Sequence, residues 1–266
     1  KYEEFDAPYS SMVHDFMVTS EHVIFPIFPL SMDMQRAMEG KPPIAWEPDK
    51  GTHIGVMPKE GSVKDIKWYT DDPCFVFHLM NAYTEGNKII ADVMQFEEPP
   101  LFPHVDGSMG DPKKAEAKLN RWEIDLSSNS SNIKKSYLDE DLGEFPRVDE
   151  RYAMLKYRHG YYATGIGEHL GGAGLNSIAH FDHISGKKHF FTPSKNDAVG
   201  EPVFIPKNQD AEEGDGYLIA TAYRGEENRS DLLILDAQNV GAGPIATAKL
   251  PHRIPFGFHG NWRPGN

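Results

Sequence analysis

The sequence predicts an all-β fold, and three observations support that prediction. Short runs rich in β-branched and aromatic residues recur along the whole of the 266 residues. Polar or glycine-containing turns separate these runs at hairpin spacing, and almost no stretch has the periodicity of a helix. About fourteen strands of this kind favour a sandwich, a barrel or a propeller.

The strands of the first half follow from apolar runs bounded by turn residues. Residues 31–50 lack such a run and are predicted to form a loop with one helical turn. Pro26 and Pro29 disfavour a central position for the second strand, so we expect it at an edge or irregular. The predicted strands are Met12–Val18, His22–Leu30, Thr52–Met57, Val63–Thr70, Cys74–Tyr83, Lys88–Phe96 and Lys118–Leu126.

In the second half of the chain, polar and glycine-rich stretches interrupt the β-prone runs more often. A polar stretch rich in serine and asparagine follows residue 126, and Gly165–Gly174 is predicted to be a glycine-rich loop. Turn residues separate short β-prone runs in the remainder. The predicted strands are Tyr152–Tyr157, Ser177–Asp182, Lys188–Phe191, Pro202–Pro206, Gly216–Tyr223, Asp231–Asp236 and Ile245–Leu250.

Composition narrows the classes of function. The chain is 39% hydrophobic, which suffices for a core in one large domain or two small ones. Its net charge of -13 disfavours nucleic acid and anionic membrane surfaces, and no apolar run reaches the roughly 18 residues of a membrane span. The single cysteine, Cys74, excludes an intrachain disulfide and is typical of a reducing compartment, so we expect a cytoplasmic protein.

Three of the twelve histidines lie inside apolar or aromatic runs. His14 and His78 fall in predicted strands, and His259 lies in an aromatic, glycine-rich segment near the C-terminus. A histidine in such a run is expected to be buried or nearly so, and both ring nitrogens then need partners. Each one alone is more simply a core histidine bonded to the backbone, whereas three together make a shared metal plausible.

The other histidines carry a weaker signal. His180, His183 and His189 lie on one predicted hairpin, and we interpret them as residues of its polar face rather than as metal ligands. His159 is interpreted as a packed or surface histidine.

Around His14, His78 and His259 the sequence resembles a known family. The segments are Met12–Phe16 followed by Thr19, Phe77–Tyr83, and Pro251–Gly260. They resemble, in the same order, three iron-ligand segments of the carotenoid cleavage oxygenases. Within that family they are most similar to the lignostilbene-cleaving enzymes of bacteria, and the resemblance extends over essentially the whole chain.

The resemblance implies a seven-bladed β-propeller with Fe(II) on its axis. Residues 1–266 would then be a single domain that is the incomplete C-terminal part of such an enzyme, covering roughly half of the propeller or more. The family's first histidine ligand, its first associated glutamate and its phenol-binding residues are expected before Lys1.

The resemblance also implies a set of site residues. His14, His78 and His259 would bind the iron, while Glu144 and Glu201 would accept hydrogen bonds from ligand imidazoles. A carboxylate on the far ring nitrogen fixes the tautomer and the orientation of a ligand histidine. Without the resemblance, both glutamates would be interpreted as solvated loop carboxylates.

The implied reaction is O2-dependent cleavage of the central alkene of a 4-hydroxystilbene into two aromatic aldehydes such as vanillin. Phe77 and Phe258 are expected to wall an apolar substrate pocket, although core packing explains them equally well. The expected partners are the stilbene and O2, with no nucleic acid and no membrane, and a homodimer is compatible with the sequence. Three alternatives stay open: cleavage of a carotenoid or apocarotenoid, a non-catalytic propeller that binds a protein or ligand, and an inactive fragment that has the motifs but does not hold metal.

Overall fold

The computed structural model describes residues 2–128, 133–167 and 174–263 of the chain. The chain divides into two compact units. The first contains Lys1–Tyr137 with Met154–Lys156, and the second contains Leu138–Ala153 with Tyr157–Asn266. Residues 168–173 of the predicted glycine-rich loop lie outside the described residues.

The first unit is built from three sheets with the strand orders β1-β2-β5-β6, β10-β9-β8-β7 and β3-β4. The last residues of β10 belong to the second unit, because the boundary follows Tyr137. The strands are β1 (Met17–Val18), β2 (His22–Ile27), β3 (Leu30–Met32), β4 (Ile44–Trp46), β5 (Thr52–Pro58), β6 (Lys67–Asp71), β7 (Phe75–Glu85), β8 (Lys88–Phe96), β9 (Lys118–Asp125) and β10 (Lys134–Asp139).

The hairpin of β7 and β8 confirms the clearest sequence prediction. The two strands are antiparallel, with Glu85 opposite Lys88, so only two residues form the turn. The first of them, Gly86, has φ of 59°, a left-handed conformation that glycine adopts without steric cost. Seven of the nine residues of β8 are buried, which explains why its sequence reads as an apolar run.

The region predicted as a loop contains more structure than expected. One short helix, α1 (Met34–Met38), begins after Asp33, whose side chain accepts hydrogen bonds from the backbone N–H groups of Gln35 and Arg36. The predicted helical turn is therefore confirmed. The strands β3 and β4, which enclose α1, were missed because each spans only three residues.

The predicted edge position of the second strand is wrong. β2 lies between β1 and β5, and Pro26 is paired in register with Ile54 of β5. β1 spans only Met17–Val18 and pairs with Ile24 and Val23, so it ends before Pro26. Proline removes a ladder donor on one side only, and β1 does not require that donor.

The second unit contains two sheets with the orders β11-β12-β13-β14 and β15-β17-β18-β19, and β16 also pairs with β17. In the first of these sheets, strands that are consecutive in sequence lie side by side, as in a propeller blade. The strands are β11 (Gly143–Val148), β12 (His159–Thr164), β13 (Ser177–Asp182), β14 (Lys187–Phe191), β15 (Ala198–Val199), β16 (Val203–Pro206), β17 (Gly216–Arg224), β18 (Arg229–Asp236) and β19 (Pro244–Lys249).

Three predicted strands are wrong in part or in full, and four strands were missed besides β3 and β4. The start of the predicted strand Val63–Thr70 is a 3-10 helix, Val63–Asp65. Tyr152–Tyr157 is not a strand, since Glu150–Tyr152 is a 3-10 helix capped by the Asp149 side chain. In Met12–Val18 only the last two residues form a strand. The further missed strands are β10, β11, β12 and β15, which has only two residues. β10 has no buried residue and thus no apolar face, whereas β12 is buried at all six positions but carries histidine and glycine.

Each unit has its own core. In the first, Tyr69, Phe75 and Trp122 are fully buried. In the second, buried side chains from both sheets form one cluster that includes Tyr161 and Leu218. Burying a side chain of this size contributes about 1.5–3 kcal/mol relative to leaving it exposed. No helix among the described residues is long and apolar enough to cross a membrane.

Candidate functional site

In the first unit, the structure brings His14 and His78 together. Their Nε2 atoms are 3.2 Å apart, and their ring centroids are 5.0 Å apart with an angle of 80° between the ring planes. The residues are 64 positions apart in the sequence, so the fold, and not local spacing, creates the pair.

The expectation of a histidine buried in a strand is wrong for His14, whereas the strand position of His78 is confirmed. His14 is exposed and precedes β1, while His78 is half-buried within β7. The pairing of β7 with β8 shifts register on both sides of Leu79, next to His78. Such an irregularity re-aims a side chain out of the regular alternation of a strand, which explains how a strand histidine meets His14.

The donor set of this pair fits a metal ion. Two metal–imidazole bonds of about 2.1 Å at a right angle separate the nitrogen atoms by about 3.0 Å, close to the observed 3.2 Å. The same distance also suits an N–H···N hydrogen bond between neutral rings. The geometry is therefore compatible with two adjacent ligands of one metal.

The second unit presents the third candidate, His259, already oriented by Glu201. His259 Nδ1 lies 3.1 Å from Oε1 of Glu201, and the backbone N–H of Gly260 donates to Oε2 at 2.8 Å. The Glu201 side chain is 5% exposed, while that of His259 is 49% exposed. With Nδ1–H donating to the carboxylate, Nε2 carries the lone pair that a metal requires.

Local structure explains the position of Glu201. It lies in the short connection between β15 and β16, preceded by Gly200. A Cβ atom on residue 200 would approach Oγ1 of Thr221 to 2.6 Å, so a larger residue would displace this connection.

The C-terminal segment, residues 250–263, is fixed to the second unit as the sequence suggests. The backbone N–H of Ser230 donates to His252 O, and Ser230 Oγ accepts from the N–H of Ile254. Arg253 stacks on the Tyr223 ring at 5.1 Å. Beyond this point the chain is exposed as far as residue 263.

Glu144 lies in β11, and its carboxylate accepts a hydrogen bond from the backbone N–H of Phe145. Phe145 has φ of 56°, and the register of β11 with β12 shifts between Glu144 and Arg147. Positive φ at a bulky residue is uncommon and costs energy. The role of Glu144 beside a ligand imidazole stays a prediction.

The two predicted pocket residues lie in different environments. Phe77 is half-buried and packs edge-on against His14, with ring centroids 5.0 Å apart. Phe258 is 70% exposed and lines a cavity of about 510 Å³ in the second unit, together with Phe256 and His259. Each side chain thus lies close to a candidate histidine of its own unit.

Sequence reasoning gave no role to Arg147, which contacts the segment that carries His259. Its guanidinium lies 3.4 Å from Oε1 of Glu201, and it donates to the carbonyl of Gly260 at 3.3 Å. The available signal was Pro146 within an otherwise strand-like run, because proline inside a strand often marks an irregularity.

Comparison with known proteins assigns the chain to a protein family. The model of the family described as retinal pigment epithelial membrane protein matches residues 1–264. The chain is 39% identical over 272 residues to isoeugenol monooxygenase of Pseudomonas putida, an alignment that covers 98% of this chain and 56% of the enzyme. It is 38% identical to lignostilbene-alpha,beta-dioxygenase isozyme III of Sphingomonas paucimobilis, with 97% and 56% covered.

Solved structures agree with these relatives. The crystal structure of Pseudomonas brassicacearum lignostilbene dioxygenase superimposes with a TM-score of 0.91 at 34% identity, covering 97% of this chain and 56% of that one. A variant of Synechocystis apocarotenoid oxygenase gives a TM-score of 0.83 at 30% identity, covering 95% and 53%. The chain spans about half the length of the relatives it matches. It belongs to the carotenoid cleavage oxygenase family, the family of the retinal pigment epithelial membrane protein.

Proposed function

We propose that this chain contributes three imidazole ligands, His14, His78 and His259, to the iron of an Fe(II)- and O2-dependent alkene-cleaving oxygenase. The observation that carries the proposal is the spacing of the His14 and His78 Nε2 atoms, 3.2 Å, which suits two adjacent ligands of one metal. The orientation of His259 by a buried carboxylate and the family membership support the same conclusion.

The glutamates would act through the ligands. Glu201 accepts from His259 Nδ1, holds the ring in the tautomer with a free Nε2 and makes that nitrogen more basic. We propose a corresponding role for Glu144 beside another ligand imidazole. Neutral imidazoles suit iron as well as zinc and copper, and when bound the iron would supply the O2 chemistry that cleaves the double bond.

For the substrate we propose a 4-hydroxystilbene, cleaved at its central alkene into two aromatic aldehydes such as vanillin. Lignostilbene dioxygenases stand among the relatives both in sequence and in structure. Phe77 and Phe258 would provide apolar contacts to the aromatic rings, and the cavity beside Phe258 has a volume in the usual range for small-molecule sites. Loss of the 4-hydroxyl proton would push electron density into the alkene.

A second candidate substrate is isoeugenol, a 4-hydroxyphenyl compound with a conjugated propenyl side chain. The specific observation in its favour is that isoeugenol monooxygenase is 39% identical to this chain, against 38% for the lignostilbene enzyme. Both compounds share a phenol conjugated to the alkene, so similarity alone does not separate them. Carotenoid or apocarotenoid cleavage, and a non-catalytic binding module, remain the further alternatives.

Several finer features belong to the same proposal. We propose that residues 1–266 act as one domain within a seven-bladed propeller, supported by four-stranded sheets of consecutive strands. A homodimer and a cytoplasmic location stay predictions; the second is supported by the single cysteine, Cys74, which is free and buried.

The test is a cleavage assay with the full-length protein. Iron-loaded protein would be exposed to O2 with a lignostilbene, its 4-O-methyl analogue, isoeugenol or an apocarotenal, and the aldehydes would be separated by chromatography. We expect the lignostilbene to give two aromatic aldehydes, the 4-O-methyl analogue to react much more slowly, and the His78→Ala variant to be inactive. Binding of a stilbene with no cleavage of any alkene would instead support the binding module.

A further inference from the structure

Arg147 occupies an unusual position for an arginine near the surface. Its side chain is 18% exposed and forms an ion pair with Glu150 at 2.7 Å. The same guanidinium donates to the carbonyl of Gly260 at 3.3 Å and approaches Oε1 of Glu201 to 3.4 Å. It therefore contacts both the carboxylate that holds His259 and the backbone that follows His259.

The irregular part of β11 creates this arrangement. Phe145 adopts a left-handed conformation with φ of 56°, and the register with β12 shifts between Glu144 and Arg147. The Phe145 ring meets the His259 ring edge-on, with centroids 5.8 Å apart and 77° between the planes. β11 thus makes two contacts with this segment. Phe145 packs against the His259 imidazole, and Arg147 donates to the carbonyl of Gly260, the residue that follows His259.

The segment that carries His259 needs such support, because residues 255–263 are exposed. Glu201 and Arg147 provide four polar contacts to residues 259–261: two to the Glu201 carboxylate, one from Arg147 to the Gly260 carbonyl and one from Arg147 to Oδ1 of Asn261 at 3.5 Å. The contacts of Arg147 are at the long end of the hydrogen-bond range, so each is weak alone. Both contacts come from one rigid, planar guanidinium, so one ordered side chain makes both of them.

We propose that Arg147 is the positioning residue of residues 259–261, here called the His259 turn. It holds the Glu201 carboxylate and the Gly260 backbone in place, so that the His259 imidazole keeps a single orientation. The inference rests on the proposed function for the statement that His259 binds iron. The statement that Arg147 orders the turn is independent of it and can be measured without metal.

The guanidinium geometry makes the proposal specific for arginine. Nη1 of Arg147 donates to the Gly260 carbonyl, while Nη2 donates to both Asn261 Oδ1 and the Glu150 carboxylate. A lysine would keep the charge but present a single ammonium group, which cannot span these acceptors. We therefore expect Arg147→Lys to behave like the uncharged Arg147→Met and not to restore the wild-type properties.

The experiment compares the full-length protein with these two variants. In the metal-free protein, hydrogen exchange of the Gly260 amide, which donates to Glu201, and the nitrogen chemical shifts of His259 report the order and tautomer of the turn. In the same samples, titration with Fe(II) gives the metal affinity. We expect both Arg147 variants to speed Gly260 exchange about tenfold and to weaken iron binding by about tenfold, the lower end of the range for residues behind a metal ligand.

Two control variants separate ordering of the turn from general stability. Arg151→Met removes a neighbouring ion pair with Asp149 and hydrogen bonds to the carbonyls of Gln209 and Ala211, and none of these partners lies in residues 259–261. Glu150→Gln removes the charge of the carboxylate that lies 2.7 Å from Arg147 and changes no atom of residues 259–261. Both controls should leave Gly260 exchange and the His259 tautomer unchanged, even where they lower the melting temperature.

Unchanged Gly260 exchange in Arg147→Met, or an equal change in Arg151→Met, would overturn the proposal. Faster exchange in the Arg147 variants alone, with no iron bound even by the wild-type protein, would uphold the positioning role and reject the proposed function. The two claims therefore fail by different results.

Discussion

Two pairs of histidines in this protein have similar ring separations and opposite surroundings. His14 and His78 have ring centroids 5.0 Å apart, with the Nε2 atoms 3.2 Å apart, and His14 is exposed. His159 and His180 also have centroids 5.0 Å apart, but they join Nδ1 to Nε2 at 2.8 Å and are 7% and 4% exposed. The first pair lies at the surface of its unit, with His14 exposed and His78 half-buried, whereas both rings of the second pair are buried.

The surroundings of the buried pair explain the difference. The Tyr161 ring stacks on His180 with centroids 5.2 Å apart, and a Cβ atom on Gly214 would lie 2.5 Å from the His159 ring. The 2.8 Å distance is that of one N–H···N hydrogen bond, which satisfies a nitrogen of each ring. Exposure therefore separates the two pairs, and the number of histidines nearby does not.

The largest expected effect is the loss of iron affinity when a histidine of the first pair is replaced. Replacing His14 by alanine removes one proposed ligand, so we expect iron binding to weaken on the order of 100-fold or more, beyond the range for residues that only support a ligand. Because His14 is exposed, the melting temperature of the metal-free protein should change little. Iron titration and calorimetry of the variant measure the two quantities. An iron affinity equal to that of the wild type would show that His14 does not bind the iron.

Lowering the pH should destabilise the protein through the buried pair of His159 and His180. Burial, with smaller contributions from His159 and His189, lowers the pKa of His180 to about 4. The unfolded chain, with a pKa near 6.5, then takes up the proton first as the pH falls. Stability is complete above about pH 6.5 and is lost between about 6.5 and 4, by on the order of 3 kcal/mol, with no further loss below that from this group. Urea unfolding at several pH values would show this loss. A smaller loss in His180→Leu would assign it to His180, with the remainder due to His159, whose pKa burial also lowers.

At neutral pH, His180→Leu should destabilise the protein without affecting iron. The change leaves Nδ1 of the buried His159 without the His180 nitrogen, at a cost of about 1–3 kcal/mol. His189→Ala is the matched control, because His189 is exposed on the neighbouring strand. Iron binding that falls in His180→Leu as far as in His14→Ala would contradict the distinction between the two pairs.

A smaller effect is expected where a carboxylate supports a histidine. Glu201→Gln keeps the size of the side chain but weakens its acceptance of the His259 Nδ1–H. We expect iron affinity to fall about 10- to 100-fold. Glu150→Gln, which changes an exposed carboxylate of the same unit, provides the comparison and should bind iron normally.

The smallest effect concerns the cavity. Phe258 is 70% exposed, so Phe258→Leu should alter stability by less than about 0.5 kcal/mol. If this side chain contacts the stilbene, KM should rise about fivefold, which corresponds to about 1 kcal/mol of lost apolar contact. An unchanged KM would show that Phe258 does not contact the stilbene. The variant Phe256→Leu applies the same test to a neighbouring side chain of the cavity.

Much of the fold could be predicted because its signals are local. The β7–β8 hairpin carries an apolar run, a two-residue turn and a second apolar run, and β13 was predicted at its observed bounds, Ser177–Asp182. The strands that were missed lack such signals. β10 presents lysine and serine with no buried face, and β12 is buried but contains a glycine and a histidine.

The site was harder, since its contacts join distant residues. Glu201 and His259 are 58 positions apart, and only the family resemblance suggested Glu201. Burial of His14 was predicted from its apolar neighbours, but that segment forms no ladder and leaves the ring exposed. The pairing of His159 with His180 across β12 and β13 depends on strand register, which the sequence did not specify.

The most direct test of the central proposal is the iron content of the full-length protein and of two variants, one from each unit. His78→Ala and His259→Ala would be compared with His189→Ala after the same anaerobic loading with Fe(II). We predict about one iron per chain in the wild type and in His189→Ala, and almost none in the other two. Iron retained by both variants, or missing from the wild type, would show that these histidines do not share a metal.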